Sequence, residues 1–70
     1  MLTQEKTRFI IKKLKKEYGF TYTYIAELIG ISKSHLSLFL DEKRDLNRNK
    51  IEKFERLLKT KFEGSFTMNV

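Results

Sequence analysis

The chain has 70 residues, 15 Lys and Arg against 9 Asp and Glu, and a formal net charge of +6. That length allows one small domain, which buries only about 60% of its unfolded surface and gains from partner subunits. Cysteine is absent and His35 is the single histidine, which argues against disulfides, cysteine-ligated zinc and His-based catalysis, and the basic excess favours a polyanionic partner.

The first helix is expected to start after Thr3 as N-cap and to run to about Tyr18, with Gly19 in the C′ position. Its apolar stripe is Ile10, Ile11, Leu14 and Tyr18, with Phe9 at the edge, while Lys12, Lys13, Lys15 and Lys16 flank the stripe and stay wet. Phe20 leads into Thr21, the N-cap of a second helix from about Tyr22 to Ile29. Ser32 caps a third, from about Lys33 to Leu40 or Asp41, and residues 41–45 form a polar loop. Asn47 caps a fourth helix from about Arg48 to Lys61, with Leu46 and Ile51 placed as a hydrophobic staple. Ile51, Phe54, Leu57, Leu58 and Phe62 form its core stripe and Gly64 ends it.

Beyond Gly64 the period changes. Phe66, Met68 and Val70 alternate with Ser65, Thr67 and Asn69, a strand pattern that nothing else in the chain repeats. A lone strand leaves backbone groups unpaired, so the expected partner is the same tail from a second copy, across a two-fold axis. A frayed tail, or one laid on its own domain, is the alternative. The expected organisation is a domain over 1–63 and a dimerisation tail over 64–70.

Residues 21–40 carry the most information. Ala26 falls where two short helices would touch. Gly30 falls where the first must stop with positive φ, and Ile25, Ile29, Ile31, Leu36 and Phe39 fall where the corner must be apolar. This is a helix-turn-helix pattern, whose second helix can enter the DNA major groove.

From Phe20 to about Leu58 the chain resembles the phage repressor and Cro family of helix-turn-helix proteins. The family's places hold Thr21, Tyr22, Ile25, Ala26, Ile29, Gly30, Ile31, Ser32, Leu36, Ser37 and Phe39, at the family's spacing. Tyr22 replaces a Gln that in the family bonds a phosphate and braces the recognition helix. Leu40 stands where Glu is common, Glu42 where Gly is common and Leu46 where Pro is common. The expected fold is all-α: a four- to five-helix, lambda-repressor-like helix-turn-helix domain with a short C-terminal β-strand-like tail.

The exposed face of the third helix offers Ser32, Lys33, Ser34, His35, Ser37 and Leu38 to base edges. Lys33 can donate to guanine O6 and N7, the serines discriminate weakly, and Leu38 can meet a thymine methyl. Expected phosphate contacts are Thr21 and Tyr22 on one side and Lys43, Arg44, Arg48, Asn49 and Lys50 on the other. The first-helix lysines are read as a solvated face, and Tyr18 and Tyr24 as rim packing. Ile10, Leu14, Ile25, Leu28, Ile29, Leu36, Phe39, Phe54 and Leu58 are read as core.

The leading functional reading is a sequence-specific regulator of double-stranded DNA; the resemblance implies a Cro-type repressor that occupies a palindromic operator as a homodimer. Phe66, Met68 and Val70 are the expected dimer contacts. Since fold does not fix function, the alternative is a protein-binding module, an antitoxin or a phage-encoded inhibitor of a host enzyme, favoured by Leu38, Leu40, Asp41 and Glu42. A single-strand or RNA binder lacks an aromatic platform, since Phe9, Phe39, Phe54 and Phe62 are assigned to core stripes. No cofactor, metal or small-molecule substrate is expected, and no enzyme chemistry. Without a signal peptide or an apolar run long enough to span a membrane, the expected location is the cytoplasm.

Overall fold

A computed structural model describes residues 2–60 as four helices: α1 Gln4–Tyr18, α2 Tyr22–Ile29, α3 Lys33–Leu40 and α4 Arg48–Thr60. No strand occurs among the described residues. The strand-like tail, its residues Phe66, Met68 and Val70, and Phe62 of the expected fourth stripe lie outside them.

All four helices start as the sequence dictates. The side chains of Thr3, Thr21, Ser32 and Asn47 each accept from the amide three residues on, at Lys6, Tyr24, His35 and Lys50, over 3.0, 3.1, 3.0 and 3.0 Å. Each satisfies one of the amides that a helix start leaves without a backbone partner. Gly19 and Gly30 end α1 and α2 in the left-handed region, with φ of 76° and 88°. At Gly30 the turn closes tightly. The amides of Gly30 and Ile31 both return to the Ala26 carbonyl, at 2.9 and 3.0 Å.

The core gathers Ile10, Ile11 and Leu14 of α1, Ile25, Ala26 and Ile29 of α2, Leu36, Phe39 and Leu40 of α3, and Ile51, Phe54 and Leu58 of α4. α2 packs on both α3 and α4, and α1 closes over α2. Leu46 is buried ahead of α4, as its staple position requires. Leu28 and Leu57 are only partly buried and pack against the core from its rim.

Two residues of the expected α1 stripe lie outside the core: Tyr18 is 38% exposed, in keeping with its reading as rim packing, and Phe9, placed at the edge, is exposed further. Phe9 is 67% exposed. Three apolar residues in a row cannot all face inward on a helix, and the buried set is Thr7, Ile10, Ile11 and Leu14, spaced by three and four. Phe9 falls on the opposite side. Its neighbours at three and four residues on are Lys12 and Lys13. Thr7 takes the inward place at no polar cost, because its hydroxyl donates to the Thr3 carbonyl at 2.7 Å.

Candidate nucleic-acid interface

The register of α3 decides what it can present. Burying Leu36, Phe39 and Leu40 turns Ser34, Ser37 and Leu38 to solvent, and Ser32 and Lys33 are exposed at its N-terminal end. Five of the six candidate base-contacting residues are therefore free to meet a duplex. The sixth, His35, is half-buried to one side, and its Nε2 is enclosed without a hydrogen-bond partner. Leu40, counted among the apolar residues available to a partner protein, is 7% exposed and belongs to the core.

Two further groups of side chains lie beside α3. Thr21 is exposed, with its hydroxyl oxygen accepting from the Tyr24 amide. Tyr22 is half-buried, its ring 5.3 Å from the Lys15 ammonium, and it shares a groove of about 220 Å³ with Lys33 and Ser37 of α3. On the other side of the sequence, Lys43, Arg44, Arg48 and Asn49 are exposed. Lys50 is half-buried and donates to the Gly30 carbonyl at 3.2 Å, so its ammonium also caps the C-terminus of α2.

The loop after α3 is more ordered than its polar composition promises. The Glu42 amide donates to the Phe39 carbonyl at 3.1 Å and the Lys43 amide to the Leu38 carbonyl at 2.9 Å. This pair is a Schellman closure, and it places Glu42 at φ 62°. A non-glycine residue in that region costs about 1–2 kcal/mol. The cost accounts for the common Gly at this place in the resembled family, and this chain carries Glu instead.

Sequence reasoning missed what holds the loop. Arg8 of α1 donates from Nε to the Phe39 carbonyl at 2.6 Å, and from Nη2 to the Arg44 carbonyl at 3.4 Å and the Asp45 carboxylate at 2.9 Å. Its guanidinium also lies 4.5 Å from the centroid of the Phe39 ring. Gln4 uses both halves of its amide on one residue, donating to the Leu46 carbonyl at 2.8 Å and accepting from the Leu46 amide at 3.1 Å. The partners lie 31 to 42 positions away, so no local pattern could have announced them.

The groups beside and along α3 are hydroxyls, an aromatic ring and cations, with no group of metal-ligating side chains among the described residues. Such a surface can contact phosphates and base edges. A family model described as helix-turn-helix matches residues 11–64, well over half of the chain. The chain belongs to the helix-turn-helix family. Helix-turn-helix proteins of this kind are DNA-binding domains, and the matched span contains α2, α3 and α4 entire. No curated protein and no solved structure gives a significant match.

Proposed function

We propose that the protein is a sequence-specific transcriptional regulator of double-stranded DNA, a Cro-like repressor that binds a palindromic operator as a homodimer and acts by excluding polymerase. The observation that carries this reading is the exposed row Ser32, Lys33, Ser34, Ser37 and Leu38 on a helix packed across α2. A helix with its side chains is about 10–12 Å across, which fits the roughly 12 Å width of the major groove. Lys33 and the serines would read base edges. Thr21, Tyr22, Lys43, Arg44, Arg48, Asn49 and Lys50 would fix register on phosphates.

A domain of this size offers too little surface to select one site in a genome. A homodimer on a palindrome, with its recognition helices about 34 Å apart, would meet this need. The alternation of Phe66, Met68 and Val70 supports the 64–70 tail as the dimer contact. A regulator that binds DNA would act in the cytoplasm, at the nucleoid; no described helix is long and apolar enough to cross a membrane.

Selection of bound sites from random duplexes tests the reading. The expected result is a palindromic consensus, with Lys33→Ala relaxing base choice at one position of each half-site. A library without enrichment at physiological salt would overturn it. The competing role of protein-binding module rests on Phe9, 67% exposed, and Leu38, 40% exposed. It requires Leu38 to be covered by a partner rather than by DNA.

A further inference from the structure

The surface beside α3 does not end at Tyr22. A second, shallower groove of about 370 Å³ adjoins the first, and Lys12 and Tyr22 line both. Its other walls are Lys15 and Lys16. Lys12, Lys15 and Lys16 are exposed, and none of them has an acidic partner within ion-pair distance among the described residues. With Lys33 this makes four ammonium groups around one phenol, and the single carboxylate in either lining is Asp41 at the α3 end. Like charges so grouped repel, by an amount that falls when a polyanion lies between them.

We infer that this α1 groove is a phosphate-binding track, in which Lys12, Lys15 and Lys16 carry the DNA backbone past Tyr22 as it leaves the recognition helix. The inference rests on the DNA-binding reading and extends its contact surface onto a helix that the sequence alone marks as solvated. Tyr22 supplies a hydroxyl that donates to one phosphate oxygen, and its ring keeps Lys15 beside the groove. The contacts carry no base information, so they set affinity and salt dependence and leave sequence choice to α3.

The test compares two triple variants of equal charge change in the full chain. One is Lys12→Gln, Lys15→Gln, Lys16→Gln. The other is Lys53→Gln, Arg56→Gln, Lys59→Gln on the exposed part of α4. Glutamine has nearly the helix propensity of lysine, and circular dichroism checks that both fold. Binding to the selected duplex is measured between 50 and 300 mM KCl. The α1 triple is expected to flatten the log–log salt slope by roughly 2 to 3, at about 0.9 per lost phosphate contact, while the selected consensus stays unchanged. The α4 triple is expected to change the slope by less than 1. Equal flattening by both triples would reduce the effect to net charge and overturn the track. A wild-type slope retained by the α1 triple would overturn the track while the DNA-binding reading stands. Failure of the wild-type chain to bind any duplex would remove that reading itself, and the track with it.

Discussion

The recognition helix is held by different means at its two ends. At the N-terminal end, Gly30 supplies the left-handed turn, Ser32 the cap, and Ile25, Ile29 and Leu36 the apolar contact. Every participant lies within a dozen residues of the others. At the C-terminal end the turn is made by Glu42 at φ 62° against its preference, and the loop is drawn in by Arg8 from α1. The first end is secured by burial and local geometry. The second adds to the burial of Phe39 and Leu40 a polar side chain that reaches across the fold to the carbonyls of Phe39 and Arg44.

That difference can be broken from either side. The largest effect is expected for Arg8→Ala, which strips charge-assisted bonds from the Phe39 and Arg44 carbonyls and uncovers the Phe39 ring. A loss of about 2–3 kcal/mol in urea unfolding is expected, with weaker DNA binding through a loosened loop. A change no larger than that of an exposed lysine substitution would show that Arg8 does not brace the loop. Gly30→Ala comes next, at about 1–2 kcal/mol of destabilisation. Space is not its main obstacle: an added Cβ meets only the ammonium ends of Lys50 and Lys53, at 3.3 and 3.4 Å, and those can move. The cost is the backbone at φ 88°.

Ser32→Ala should cost about 1 kcal/mol by leaving the His35 amide unsatisfied, with Ser32→Asp retaining most of the wild-type midpoint. The smallest effect has the opposite sign. Glu42→Gly should raise stability by about 0.5–1 kcal/mol, because glycine enters the left-handed region without the Cβ penalty. A neutral or destabilising result would mean that the Glu42 side chain offsets the strain of its backbone.

How much of this was legible beforehand follows from the range of each interaction. The four caps and the two glycine ends depend on residues three to six apart and the helical corner on residues within a dozen, and all could be read from the chain. Gln4, Arg8 and Lys50 could not, because their partners are carbonyls and amides that only the tertiary fold brings near. Phe9 was misplaced although a local signal existed: Lys12 and Lys13, three and four residues on, mark its side of the helix as wet. For the interface, exposure of Ser34, Ser37 and Leu38 followed from the α3 period. The proximity of Lys12 and Lys15 to Tyr22 did not, since it depends on how α1 crosses α2.

The amide of Gln4 occupies both backbone groups of Leu46, as a neighbouring strand would. The exit from the loop is thereby anchored independently of what the loop itself contains. The backbone on either side of residues 42–44 is thus pinned from α1, by Arg8 at Phe39 and by Gln4 at Leu46, so the exposed side chains of Lys43 and Arg44 can change without moving either anchor.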